Sequence, residues 1–192
     1  MEQNMNEYEK TIFDAMYERR SIRSFIEGKP VEKEKILKLL NAAMAAPSAC
    51  NIQPWEFIVV SEEKTVSDIK GSIEKYGKWN APLVIVVCGY TEFIPWDGDS
   101  WKLDCAAAIE NMLLAAVSLG LGSVWIGGSD PGKIRTILDI PDNVHPMGLV
   151  YFGYPNEKKG PRSQYREQAV HWEKYDKERE HHPVPGNIFG MK

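Results

Sequence analysis

The stretch "LDCAAAIENMLLAAVSLGLGSVWIGG", Leu103 to Gly128, decides how the rest of the chain is arranged. Leu103 to Leu119 reads as a helix that is apolar nearly all round, broken after Cys105 only by Glu110, Asn111 and Ser118. Such a helix has no face to offer water, so it must be enclosed by its own core or by a partner subunit. It is also too short and too polar to span a bilayer. After it, "GLGSVWIGG" gives a turn, a short strand and a second turn.

Upstream, "PLVIVV" from Pro82 to Val87 is a continuous apolar run, which predicts a strand buried on both faces. Trp55 to Val60 predicts another strand and Glu62 to Tyr76 a helix. Val31 to Ala45 predicts a helix with Ile36, Leu37, Leu40, Ala43 and Met44 inward. Residues 7 to 18 place Tyr8, Ile12, Phe13, Met16 and Tyr17 on one helical stripe. Residues 19 to 30, closed by Gly28 and Pro30, read as a short irregular connector. Downstream, residues 131 to 138 predict a short helix and Met147 to Tyr151 the last strand. The irregular alternation of helix and strand predicts a single α+β or mixed α/β domain over residues 1–192. "CGYTEFIPWDGDSW" reads as a loop or lid. Beyond Pro155 the chain is polar but keeps Tyr165, Trp172, Tyr175, Ile188 and Phe189, a tail expected to dock on something.

The chain has 192 residues, enough for one domain with a real core. Its 27 acids and 23 bases leave a formal charge of −4, which argues against nucleic acid or an acidic membrane as the main partner. Cys50, Cys88 and Cys105 form neither a C-x-x-C motif nor an even framework, as expected of a reducing cytoplasmic protein. The polar N-terminus carries no signal-like apolar run.

There is no H-E-x-x-H, G-x-S-x-G, Walker loop or strand–GxGxxG–helix fingerprint. His145, His171, His181 and His182 are not spaced with the cysteines as zinc ligands, so no metal is expected. "RRSIRSF" sets Arg19, Arg20 and Arg23 around Ser21, a combination that can grip a phosphate with guanidinium forks and a hydroxyl. A basic helix end complementing the helix dipole fits the same spacing. Lys158, Lys159, Arg162 and Arg166 make a second basic group, for which a solvated loop is the commoner outcome.

"AAPSACNIQPWEFIVV" places Ser48, Asn51 and Gln53 between Pro47 and Pro54 at the mouth of a strand. Uncharged amides suit the edge of a planar heterocycle bearing N–H and C=O groups. Flanking prolines limit the reordering needed on binding. An Asx-turn with a cap explains Ser48 and Asn51 but not Gln53 or the two prolines.

Five segments occur together in one order: "RRSIRSF", "APSACNIQPWEFIVV", "APLVIVV", "DCAAAIENMLLAAVSLGLGSVWIGG" and "YFGYP" before a basic segment. In these the chain resembles the FMN-dependent nitroreductase family over nearly its whole length. The resemblance implies an α+β fold with a mixed, mainly antiparallel sheet flanked by helices, and an intertwined homodimer with two FMN sites at the interface. Arg19, Arg20, Ser21 and Arg23 of one subunit would hold the phosphate and ribityl end. Pro47, Ser48 and Asn51 would come from the other subunit, and backbone around Ile126, Gly127 and Gly128 would lie against the flavin. Arg162 matches the family's phosphate-binding arginine, with Arg166 the second choice. Residues 166–192 would pack on the partner.

The activity implied is transfer of two electrons from NAD(P)H to a nitroaromatic, quinone or related electrophile by a ping-pong route. No catalytic side chain is identified. Alternatives on the same scaffold are dehalogenation, dehydrogenation or flavin fragmentation, or flavin binding without turnover.

Overall fold

The computed structural model describes residues 12–73, 79–91, 98–162 and 165–179. Expectations placed on residues 7–11, 74–76, 92–97 and 180–192 lie outside the described residues, among them most of the aromatic loop and His181, His182, Ile188 and Phe189. The chain divides into two compact units, Met1–Arg162 and Ser163–Lys192. The first unit holds helices α1 (12–18), α2 (Lys33–Met44), α3 (Glu63–Gly71), α4 (Ser100–Ser118) and α5 (Pro131–Leu138). Its strands are β1 (Trp55–Val60), β2 (Leu83–Tyr90), β3 (Gly122–Ile126) and β4 (Val144–Gly153).

The strands form one sheet in the order β1-β2-β4-β3, and every neighbouring pair is antiparallel. The sheet is antiparallel as mainly expected, and the mixed character expected of it is corrected for the described strands. Among the described residues the parallel element is an isolated bridge between Ser21 and Ser123. β2 is central and buried from Leu83 through Gly89, because both of its faces are covered. Leu83, Ile85 and Val87 pack with Leu39 and Ala43 of α2 and Ile109, Met112 and Ala116 of α4. Val84, Val86 and Cys88 face the other way, into Val66 and Ile69 of α3 and Ile134 of α5. The result is three layers with a core on each side of the sheet. Tyr151 sits in the α3/α5 core, edge-on to Trp79; its hydroxyl has no hydrogen-bond partner among the described residues, and burial pushes its pKa up.

α3 and α5 start where their sequences provide caps. Glu62 accepts from the N–H groups of Lys64 and Thr65, and Asp130 from those of Gly132 and Lys133. α3 ends at Gly71, short of the expected Tyr76. β4 begins three residues before the expected strand because Pro146, a poor ladder residue, sits where the register shifts at a bulge opposite Val87 and Cys88.

Three helices keep apolar surface uncovered within the unit. α4 buries Asp104, Cys105, Ala108, Ile109, Met112, Leu113 and Ala116. Its other side runs Leu103, Ala106, Ala107, Glu110, Leu114 and Val117, none of it buried, and Leu103 is 71% exposed. The expected inward face of α2 holds at Ala43, with Ile36 and Leu40 packed against the same core, and needs correction at Leu37 and Met44. Leu39 and Ala43 are the buried residues, while Leu37 and Met44 are exposed because the α4 contact centres on the opposite flank. On α1, Ile12, Phe13, Met16 and Tyr17 are exposed. The polar residues of α4 have assignments: the Asn111 amide donates to the Ala42 carbonyl at 3.0 Å, and Glu110 pairs with Arg19 at 3.5 Å.

In the second unit, Glu167–Ala169 forms a short 3-10 turn. His171 stacks on Tyr175 at 4.3 Å, and the Arg179 guanidinium donates to the Val170 carbonyl at 2.6 Å. Tyr165, Trp172 and Tyr175 are exposed. No helix among the described residues is long and apolar enough to cross a membrane.

Candidate functional site

The connector after α1 is stitched across one end of the sheet. Ile22 N–H donates to the Ser123 carbonyl at 2.9 Å, and Ile26 N–H to the Tyr154 carbonyl at 2.9 Å. Ile22 and Phe25 turn inward and are buried. They occupy the space over two glycines: a Cβ at Gly122 would stand 2.8 Å from Ile22, and one at Gly153 would stand 2.9 Å from Phe25. Asn80 clamps Phe25 from the side, accepting from its N–H at 3.0 Å and donating to its carbonyl at 2.7 Å. With Ile22 and Phe25 inside, Arg19, Arg20, Ser21 and Arg23 are left at or near the surface.

Lys159 and Arg162 of the second basic group come to the same place. The Arg20 guanidinium donates to the Gly160 carbonyl at 2.5 Å, 140 positions away in sequence. Lys159 Nζ donates to the Ser21 carbonyl at 2.6 Å, and Arg162 N–H to the Tyr17 carbonyl at 2.8 Å. Among the described residues Arg20, Arg23 and Arg162 have no carboxylate within ion-pair distance, whereas Arg19 shares Glu110. Arg23 carries its guanidinium over the Trp79 ring, 5.3 Å from its centre. Arg166 belongs to the second unit. Glu157 is the acid of this neighbourhood. The N–H of Arg23 holds its carboxyl below the usual glutamate range against the opposing effect of burial, with help from Lys159.

The Pro-bounded loop is built largely from within. Ser48 Oγ accepts from Gln53 N–H at 2.9 Å, Asn51 N–H donates to the Ser48 carbonyl at 3.0 Å, and the Gln53 amide donates to Asn51 Oδ1 at 3.3 Å. Cys50, Asn51 and Gln53 all have left-handed φ, at 50°, 55° and 54°. This conformation costs roughly 1–2 kcal/mol for a residue such as Cys or Gln and less for Asn. The loop is pinned by α4, whose buried Asp104 accepts from Ala49 N–H at 3.0 Å. Pro47, Cys50, Asn51 and Gln53 are exposed at its surface.

Within one chain these two segments are far apart. The loop leads into β1, at one edge of the sheet and at the end where Trp55 opposes Gly89 and Gly89 opposes His145. The connector crosses the other end, where Gly122 opposes Gly153, beside the opposite edge strand β3. Three inter-strand steps give about 14 Å across, and the run from His145 to Gly153 about 25 Å along. Gly127 and Gly128 share the connector's edge, about 13 Å of strand beyond Ser123. A Cβ at either glycine would meet nothing within 4 Å, so main chain is open to approach there. Ile126 itself is buried in the core.

Two surface cavities, of about 730 Å³ beside Lys29, Lys70 and Leu83 and about 480 Å³ between Asp68 and Thr136, are lined by none of the candidate residues. Among the described residues no cluster of three His, Cys, Asp or Glu side chains could hold a metal. Cys88 and Cys105 are buried and their thiols are pushed up to about 12; Cys50 is exposed.

Residues that sequence reasoning missed are Asn80, Asp104 and Glu157. Each acts on backbone distant in sequence, so nothing local in the chain signals it.

Together these features define a three-layer α+β unit with a basic end only partly neutralised by Glu110 and Glu157, an open glycine edge and a strained polar loop. Residues 16–86 and 72–154 match the Nitroreductase family, a span that includes the whole sheet, the connector and the loop, with Arg162 lying beyond it. A candidate NADH dehydrogenase/NAD(P)H nitroreductase of Archaeoglobus fulgidus is 38% identical over 169 residues, 83% of this chain and 96% of that protein. An FMN reductase [NAD(P)H] of Bacillus subtilis is 28% identical, over 89% of this chain and 75% of that protein. A solved structure of an FMN-dependent nitroreductase from Clostridium difficile is 31% identical with a TM-score of 0.77, covering 85% of this chain and 99% of that one. The chain belongs to the nitroreductase family and is an oxidoreductase of that family.

Proposed function

We propose that the protein is a homodimeric, cytoplasmic FMN enzyme that transfers two electrons from NAD(P)H to a nitroaromatic, quinone or related small electrophile. The observation that carries this reading is the separation of the two candidate segments. The basic connector with Arg162 and the Gly127–Gly128 edge lie along β3, while the polar loop lies at the opposite edge and end of the sheet. A diagonal of more than about 25 Å exceeds one flavin mononucleotide. A flavin held by its phosphate at one subunit's basic end would meet Asn51 of the partner subunit. The uncovered sides of α1, α2 and α4 supply apolar surface for that pairing, and obligate interfaces commonly bury more than about 2,000 Å². Residues 166–192 would pack on the partner.

The residues present fit the group. Arg20, Arg23 and Arg162 offer guanidinium donors that no described carboxylate neutralises, and each charge-assisted hydrogen bond to phosphate contributes about 1.5–3 kcal/mol. Arg19 and Ser21 lie beside them. At Gly127 and Gly128 no side chain bars approach to the main chain. Pro47, Ser48 and Asn51 sit in a loop whose shape is set before any ligand arrives, so little is lost in ordering it. Bound FMN supplies the two-electron chemistry that no side chain carries. The protein's own part is to grip the phosphate, orient the ring edge through Asn51 and exclude water at the dimer seam. No acid–base dyad is required.

The test is to mix FMN-loaded protein anaerobically with NADH and NADPH in turn, follow the loss of flavin colour, then add a nitroaromatic or quinone. Bleaching followed by reoxidation is expected, with ping-pong kinetics because both substrates use one site in turn. A flavin that neither nicotinamide bleaches would defeat the reading.

A further inference from the structure

We propose that Glu157 is a positioning residue for the phosphate grip, fixing the connector that carries Arg19, Arg20 and Arg23 against the segment that carries Lys159 and Arg162. The inference rests on the FMN reading above. Every backbone donor from Ile22 to Ile26 has a partner from elsewhere in the chain. Ile22 uses Ser123, Phe25 uses Asn80 and Ile26 uses Tyr154. The two donors between them, on Arg23 and Ser24, both go to Glu157 Oε1, at 2.5 and 3.3 Å. The same oxygen lies 3.1 Å from Lys159 Nζ, which in turn donates to the Ser21 carbonyl at 2.6 Å. One carboxylate and one ammonium thus hold Ser21, Arg23 and Ser24 as a unit.

Electrostatics alone argues against a carboxylate here. A fixed negative charge beside cations meant for a phosphate lowers their attraction for it. Two backbone donors and a lysine largely absorb that charge, and what remains is the geometric gain. The two roles therefore make opposite predictions when charge and reach are varied separately. Glu157→Gln keeps the reach and an acceptor oxygen but loses the charge. Glu157→Asp keeps the charge but is one methylene too short to serve both N–H groups and Lys159.

The experiment measures dissociation constants for FMN and riboflavin in the full-length wild type and both variants, with amide hydrogen exchange at Arg23 and Ser24 in the flavin-free proteins. Positioning predicts FMN affinity within about threefold of wild type for Glu157→Gln and at least about tenfold weaker for Glu157→Asp. Riboflavin should change much less in either variant. Exchange at Arg23 and Ser24 should accelerate in Glu157→Asp and stay near wild type in Glu157→Gln. Equal FMN affinities in the two variants, or a loss confined to Glu157→Gln, would overturn the proposal. Failure of the wild type to take up FMN at all would instead sink the cofactor reading, and is distinguishable because it precedes any variant.

Discussion

The connector at 19–26 and the loop at 47–54 are both short, irregular and polar, yet they are held in opposite ways. The loop closes on itself. Gln53 bonds to Ser48 and Asn51, Asn51 to Ser48, and distant residues tie only its two ends, Asp104 accepting from Ala49 and Tyr90 donating to the Pro54 carbonyl. None of the donors from Ile22 to Ile26 in the connector bonds locally; Ser123, Glu157, Asn80 and Tyr154 serve them. The loop stores strain in left-handed residues, whereas the connector has none from Arg19 to Ile26. One segment is held mainly by bonds within itself; the other is held by bonds from distant parts of the fold. Two segments of one proposed site are thus stabilised independently, and they should respond independently to mutation.

The largest separation is expected in cofactor binding. Arg162→Ala removes a guanidinium from the basic end without touching the loop, and should weaken FMN binding at least about tenfold, corresponding to about 1.4 kcal/mol. Riboflavin should bind almost as before. Asn51→Ala should do the reverse, leaving FMN largely bound while lowering turnover. Fluorescence titration with both flavins, beside steady-state rates, measures this. A matching loss of FMN affinity in both variants would break the division of labour between the segments.

The same contrast explains what was legible in the sequence. β2 was legible because a strand buried on both faces must be apolar throughout, and α4 because its long apolar run has the length of a helix, although one side of it stays uncovered within the unit. The loop's local chemistry could be read from its prolines, serine and amides. The connector's arginines could be seen, but not their support. Glu157 in "NEKKG" resembles any exposed acid, and its two N–H partners lie 134 and 133 positions away. Asp104 was hidden inside an otherwise apolar helix for the same reason. The extent of β4 was missed because Pro146 argues against a strand, and only the bulge beside it reconciles the two.

Asp104 tests the loop's side of the contrast through stability rather than cofactor binding. Its carboxylate is buried and accepts from Ala49 N–H, so Asp104→Ala should cost about 1.5–3 kcal/mol of stability and loosen the loop. Asp104→Asn, which keeps an acceptor oxygen, should cost less. Chemical denaturation followed by circular dichroism gives the stability, and exchange at Ala49 and Gln53 locates the loss. Loosening of the connector to the same degree would show that the segments are coupled after all. A smaller effect, of opposite sign, is expected at Cys50. Glycine has no penalty at φ near 50°, so Cys50→Gly should stabilise by about 0.5–1 kcal/mol, its relief of strain being partly offset by a freer unfolded chain. Removing Cys50 should also abolish rapid alkylation of the native protein, since Cys88 and Cys105 are buried with thiols raised to about 12.

The finest distinction lies in acid. Glu157 is held below the ordinary glutamate value, about 4.3, chiefly by the Arg23 N–H. A group whose folded pKa is depressed contributes its stabilisation above the unfolded value and loses it as pH falls through the folded one. The bonds from Arg23 and Ser24 should therefore persist through pH 4.3 and weaken only at more acidic pH. Gln53, whose N–H donates to the Ser48 hydroxyl, has no titrating acceptor. Protection factors for Arg23, Ser24 and Gln53, corrected for intrinsic exchange at each pH, should separate below that point: the connector residues lose protection first, and Gln53 keeps it until the unit unfolds. In Glu157→Gln the early loss should disappear. Simultaneous loss at all three positions would mean that acid acts on the whole unit, and that the carboxylate at 157 does not hold the connector on its own account.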